Sequence, residues 1–150
     1  MKCSIYEIQD RTQELLNRLL DIWENSVRAT HLFLSDEEVN NIKQYVPQAL
    51  AGVEHLIIAG NESGQAVAFM GIENNRLEML FISDDERGKG IGKQLLLYGI
   101  SNYGVQELTV NEQNPQAIGF YEHMGFKTYK RTELDEEGNA YPLLYMRLGA

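Results

Sequence analysis

Three glycines at alternate positions, Gly88, Gly90 and Gly92, interrupt the chain between an apolar run at 77–82 and a helix-patterned stretch carrying Leu95, Leu96 and Ile100. This order of strand, glycine turn and helix constrains the fold more than any other segment. It exposes backbone N–H groups at a helix N-terminus and removes the Cβ atoms that would hold an anion away. The helix macrodipole adds about half a positive charge at the same end. Arg87, Lys89 and Lys93 flank the glycines. The stretch therefore predicts a cradle for phosphate or pyrophosphate, with a tight ligand-free turn as the alternative on these residues alone. Spacing argues against two nucleotide loops. A dinucleotide fingerprint, Gly-x-Gly-x-x-Gly, would need glycine where Lys93 or Leu95 stands. A P-loop, Gly-x-x-x-x-Gly-Lys-Ser/Thr, would need glycine at Arg87 and a hydroxyl at Gln94.

The rest of the chain reads as mixed α and β. An alternating strand at 3–8 precedes a helix whose apolar stripe is Leu15, Leu16, Leu19, Leu20, Trp23 and Val27. Ser35 with Glu38 forms a capping box that opens a second helix, expected to end near 47–52. Apolar runs at 55–59, 66–72 and 77–82, separated by Gly60-Asn61-Glu62-Ser63-Gly64 and Asn74-Asn75, predict three strands of an antiparallel meander. After the glycine turn come a helix and a strand at Glu107–Asn111. Asn114-Pro115 then starts a short helix, and Gly125 stands where a left-handed residue would close it. Strands at 127–134 and 141–148 end the chain around the turn Asp135-Glu136-Glu137-Gly138-Asn139. With 150 residues and no linker or repeat, 1–150 is expected to form a single domain with a core large enough to need no staple.

Charge narrows the partners. Thirteen Lys and Arg against 22 Asp and Glu leave −9 at pH 7, the wrong sign for nucleic-acid phosphates and the right one for a cationic substrate. The one cysteine, Cys3, is expected to be buried and unreactive in the first strand, and no Cys/His cluster has metal-ligand spacing. No stretch approaches the roughly 20 apolar residues of a membrane span, and the start lacks a signal-peptide run. A cytoplasmic protein with no metal and no membrane partner is expected; monomer and homodimer both fit.

Two blocks carry a resemblance. Arg87-Gly88-Lys89-Gly90-Ile91-Gly92 is similar to Gln/Arg-x-x-Gly-x-Gly/Ala, and Asn114, Ala117, Phe120-Tyr121-Glu122 and Gly125-Phe126 reproduce Asn-x-x-Ala-x-x-x-Tyr-Glu-x-x-Gly-Phe. Both are signatures of the GNAT superfamily of acyl-CoA N-acetyltransferases, which the chain resembles over its whole length. Residues 26–35 and the ending Tyr141-Pro142-Leu143-Leu144 look like one bacterial branch of it. The resemblance implies an α+β GNAT fold, with a mixed, mostly antiparallel sheet of about seven strands and helices on both faces. It implies acetyl-CoA as cosubstrate and a primary amine as acceptor, joined in a direct ternary complex without a covalent enzyme intermediate. A noncatalytic acyl-CoA binding or sensing module is the alternative.

The family pattern also assigns residues. The strand at 77–82 would splay from Glu107–Asn111 and offer the backbone of Leu80, Phe81 and Ile82 to the pantetheine arm. A strand N–H there would polarise the thioester carbonyl. Arg87, Gly88, Lys89, Gly90, Ile91, Gly92 and Lys93 would hold the pyrophosphate, mainly through backbone N–H groups. Asn114 stands beside the cofactor in the family, and is equally placed to be a helix N-cap. Tyr121 matches the tyrosine that protonates the leaving thiolate, with a packed helix aromatic as the alternative. Glu78 is the candidate for removing the amine proton, directly or through water. It shares the face of Leu80 and Ile82 only if no bulge intervenes; an exposed strand carboxylate, with solvent taking the proton, is the other reading. His31 lies where the family shapes its acceptor pocket and could bind substrate or accept a proton, or simply pack against Leu32 and Phe33. Tyr141 and Tyr145 could border that pocket or be half-buried strand tyrosines. Asp84-Asp85-Glu86 replaces the proline common in this loop and is expected to be a solvated turn directed away from the ligand.

Overall fold

In the computed structural model, which describes residues 4–149, the strands are β1 (Ser4–Glu7), β2 (His55–Gly60), β3 (Ala66–Glu73), β4 (Arg76–Ile82), β5 (Glu107–Asn111), β6 (Phe126–Thr132) and β7 (Leu143–Leu148). The helices are α1 (Gln13–Thr30), α2 (Asp36–Lys43), α3 (Val46–Gly52), α4 (Ile91–Tyr103) and α5 (Pro115–His123), with a 3-10 turn at Asp84–Glu86. Cys3 lies outside the described residues.

Each helix begins where its sequence provides a start. Thr12 caps α1, its hydroxyl accepting the Leu15 N–H at 3.2 Å, and the stripe Leu19, Ile22, Trp23 and Val27 is buried. The Ser35 hydroxyl accepts the Glu38 N–H at 3.1 Å while Glu38 accepts the Ser35 N–H at 2.9 Å, completing the capping box of α2. The single helix expected from there to 47–52 is instead two. Pro47 has no N–H to give the carbonyl four residues back, and its ring crowds that carbonyl. That residue is Lys43, the last of α2, and α3 restarts with Pro47 in its first turn.

The seven strands form one sheet in the order β1-β2-β3-β4-β5-β7-β6, antiparallel everywhere except between β4 and β5. Side chains alternate between two cores. Leu56, Ile58 and Phe69 pack with Leu19, Ile22 and Leu50 on the α1 side. Ile57, Met70 and Ile72 pack with Leu95, Leu96 and Phe126 on the α4 side. Asn74 and Asn75, at φ 52° and 63°, make the β3–β4 turn. Asn75 Nδ2 donates to the Tyr103 and Gly104 carbonyls at 3.0 and 3.2 Å, which ties this hairpin to the end of α4.

One irregularity sets the geometry of the site. Gly71 pairs with Met79 and Ile72 with Leu77, so Glu78 has no opposite number and forms a β-bulge. The parallel pairing of β4 with β5 consists of Arg76↔Glu107 and Leu77↔Leu108 and stops there. A bulge bends its strand and sharpens its twist, and this one falls one residue past the last β4–β5 pair. The two strands then diverge.

The capping box can be tested alone. Ser35→Ala should lower unfolding free energy by about 1 kcal/mol with the urea m-value unchanged; an unaltered denaturation midpoint would show that α2 is held by packing only.

Candidate active site

The divergence of β4 from β5 opens a cavity of about 350 Å³. Leu80, Phe81 and Ile82 line it. They pair with Met70, Phe69 and Ala68 of β3, but the opposite edge of β4 has no ladder partner along this stretch. An extended ligand with amide groups can complete such an edge.

The glycine turn borders the same cavity. Gly90 is the N-cap of α4 at φ 80° and offers no side-chain cap. The first bond of the helix ladder runs from the Gln94 N–H to the Gly90 carbonyl at 3.0 Å. The N–H groups of Ile91, Gly92 and Lys93 therefore lie ahead of the ladder, at the positive end of the helix. A Cβ placed on Gly90 would meet nothing within 4 Å, so the approach is open. At Gly92 a Cβ would come within 2.9 Å of Ile82 Cδ1, so this glycine lets α4 lie against β4. Helix α1 fixes the loop from the other side, Asn25 Oδ1 accepting the Asp84 N–H at 2.7 Å.

Charges around the cradle pair locally. Arg87 bonds Asp84 at 3.2 Å and Gln116 at 2.8 Å, and Lys89 Nζ lies 2.7 Å from Glu86. Arg87 and Lys93 line the cavity; Lys89 does not. The acidic run differs from its expected orientation. Asp84 and Asp85 are exposed, but Glu86 is part of the cavity wall. The Lys89 ammonium beside it offsets the charge an anionic ligand would meet.

Helix α5 brings Asn114, Ala117, Phe120 and Tyr121 to the opposite wall. Asn114 is buried, and its Oδ1 accepts the Ala117 N–H at 3.3 Å, so the cap and the cavity position coexist. Tyr121 packs edge-on against Phe120 and Phe126, with ring centroids 5.2 and 6.1 Å away. Burial pushes its phenol well above the ordinary tyrosine range, which keeps the proton on oxygen. Among the described residues no group hydrogen-bonds this hydroxyl and no fully buried side-chain polar atom lacks a partner, so the oxygen is not wholly sealed from the cavity that Tyr121 lines.

His31 stands at a junction. It lines the first cavity and also a second one of about 220 Å³, bounded by Trp23, Phe33, Phe81, Asn111 and Tyr141. Its Nδ1 is 2.8 Å from Thr30 Oγ1, and its Nε2 is 3.5 Å from Asn114 Nδ2. Burial lowers its pKa below the usual histidine value. Tyr141 donates its hydroxyl to Glu38, which pushes the phenol up to about 12 and the carboxyl down.

Glu78 lines neither cavity. The bulge removes the alternation that would have aligned it with Leu80 and Ile82. Its carboxylate lies 3.9 Å from Arg76 Nε, and burial raises its pKa. Tyr145 also lies outside both cavities, with Lys130 Nζ 4.8 Å above its ring. Sequence reasoning missed Ser26 and Thr30, which line the first cavity. They sit four apart on α1, a helical spacing visible in the chain once the end of that helix is known.

Comparison with known proteins agrees with this geometry. Residues 22–148 match the family model described as an acetyltransferase (GNAT) domain. The chain is 40% identical over 127 residues to the peptidyl-lysine N-acetyltransferase YjaB of Salmonella typhimurium, covering 85% of this chain and 87% of that protein. The solution structure of apo-form YjaB from Escherichia coli superposes with a TM-score of 0.88 at 39% identity over 100% of both chains. The PaiA N-acetyltransferase of Thermoplasma acidophilum, solved in complex with coenzyme A, shares the fold with a TM-score of 0.68 at 20% identity, over 98% of this chain and 99% of its own.

The cradle makes a direct prediction. In calorimetric titrations Gly90→Glu should abolish saturable binding of acetyl-CoA, while Gly90→Ala, with the same backbone strain and no charge, should only weaken it. Undiminished binding by Gly90→Glu would reduce the glycines to a structural turn.

Proposed function

We propose, for a chain that belongs to the GNAT acetyltransferase family, that the acceptor of its acetyl group is the side-chain amine of a lysine in a peptide or protein. The protein is an acetyl-CoA-dependent N-acetyltransferase. The observation that carries the acceptor reading is the meeting of two cavities at His31 and Phe81. One is lined by the unpaired edge of β4 and the glycine turn, which suit an extended, phosphate-bearing cosubstrate, and the other is walled largely by aromatic rings. Aromatic walls suit the alkyl stem of lysine and attract an ammonium through their π faces. The names of the YjaB relatives point the same way.

In this reading the unpaired edge of β4 at Leu80, Phe81 and Ile82 holds the amide-bearing arm of acetyl-CoA. The N–H groups of Ile91, Gly92 and Lys93 hold the pyrophosphate. A backbone N–H of the same β4 stretch meets the charge that develops on the thioester oxygen, without having to reorganise. Tyr121 gives its proton to the departing thiolate, a task suited to a phenol that burial keeps protonated. Asn114 supports the wall between the two cavities. A cytoplasmic reaction goes with this reading; among the described residues no helix is long and apolar enough to cross a membrane.

Tyr121→Phe should lower kcat by about 10²–10⁴-fold on a lysine-containing peptide and leave acetyl-CoA affinity within a few-fold of wild type. Unchanged turnover would remove Tyr121 as the acid. Transfer to Nα-amines but not to side-chain amines would overturn the lysine assignment. Binding of acetyl-CoA with no transfer across an amine panel would favour the noncatalytic module.

A further inference from the structure

We infer that Nε2 of His31 is the atom that takes the proton from the acceptor amine. The inference rests on the acetyl-transfer reading above and adds the base that reading lacks.

The hydrogen bonds around the ring determine its tautomer. The Thr30 hydroxyl donates its one proton to the Ser26 carbonyl at 2.8 Å. Toward His31 Nδ1, 2.8 Å away, the Thr30 oxygen can then only accept, so Nδ1 carries the hydrogen. That leaves the lone pair on Nε2. Asn114 confirms the direction: its Oδ1 accepts from the Ala117 N–H, which turns Nδ2, a donor, toward Nε2. At 3.5 Å this contact is long, and an entering amine can displace it.

Position singles out the same nitrogen. Among the described residues His31 is the one titratable side chain lining both cavities. No carboxylate shares that junction: Glu78 sits on the bulge outside both cavities, Glu38 bonds Tyr141, and Glu86 lines the first cavity only, against Lys89. The groups in contact with the ring are Thr30 from α1, Phe33 from the following loop, Phe81 from β4 and Asn114 from the start of α5, all uncharged. The titratable groups that share its cavities are Glu86, Arg87, Lys93 and Tyr121 in the first and Tyr141 in the second. Burial alone lowers the His31 pKa, so the ring is neutral at pH 7 and able to accept.

The protons balance. The acceptor enters as an ammonium and gives one proton to His31 Nε2, which frees the nitrogen lone pair to form the C–N bond at the thioester carbonyl carbon. The C–S bond breaks, its electron pair leaves on sulfur, and Tyr121 supplies that thiolate with a proton. The second nitrogen proton, shed as the amide forms, returns to the Tyr121 oxygen through solvent. His31 releases its own proton to bulk, the one net proton of the reaction.

The test is kcat/KM against pH, from 5 to 10, with acetyl-CoA and a lysine-containing peptide. Wild type should level off above an acidic limb that lies below the ordinary histidine range, because the ring must be neutral. His31→Gln should lose the plateau. With only amine already deprotonated in solution able to react, its kcat/KM should rise about tenfold per pH unit toward the lysine pKa. The loss should be about 10²–10⁴-fold near pH 7 and close at high pH. A plateau kept in His31→Gln, or lost instead in Glu78→Gln, overturns the assignment. Nitrogen-15 NMR of the wild-type ring checks it without any variant: hydrogen on Nδ1 supports it and hydrogen on Nε2 overturns it. A wild type that acetylates no amine overturns the acetyl-transfer reading itself, an outcome distinct from these.

Discussion

Two ladder pairs join the two halves of this sheet. Arg76↔Glu107 and Leu77↔Leu108 are the whole of the β4–β5 pairing, and the bulge at Glu78 turns β4 away directly after them. Everything of functional interest depends on that interruption. Had β4 and β5 paired to their ends, Leu80, Phe81 and Ile82 would be ladder residues in a closed sheet. The glycine turn would then cap a helix with nothing beneath it. The opening is tolerated because both faces are covered. Helix α4 packs on β3 and β4 before the chain enters β5, and α1 holds the loop after β4 through Asn25.

The chemistry of the opening comes from polarity more than from charge. Removing a phenol from water favours its neutral, protonated form, and removing an imidazole from water favours its neutral, unprotonated form. One apolar setting therefore leaves Tyr121 with a proton to give and His31 with a lone pair to receive one, without a charged partner for either. The chain's surplus of acidic residues would work at longer range, drawing the proposed cationic acceptor toward the surface.

Much of this was legible in the sequence where a feature depends on neighbours in the chain. The glycine turn, the Ser35 cap, the Asn114-Pro115 start, the Asn74-Asn75 turn and the strand at Glu107–Asn111 are local, and the structure has each of them. Where tertiary geometry decides, sequence reasoning stopped short. The break between α2 and α3 was readable from Pro47, had its effect on the carbonyl of Lys43 been followed. The bulge at Glu78 was not, because register emerges from two strands together. Glu86 was misjudged because its charge was read without the Lys89 ammonium that faces it. The second cavity was invisible for a simpler reason. Trp23, Phe81, Asn111 and Tyr141 come from four distant parts of the chain, and no spacing links them.

That cavity takes Phe81 from β4 and Asn111 from β5, one wall from each bank of the gap. Its width is consequently tied to the spacing of the two strands, which two ladder pairs set at one end only. In the reading proposed above, a cosubstrate arm lying between the strands would act as a spacer and fix the acceptor's seat at one width. In kinetic terms, under the acetyl-transfer reading the shape that selects the second reactant would be finished by the first, which would make order of arrival a property of the sheet and not of either pocket alone.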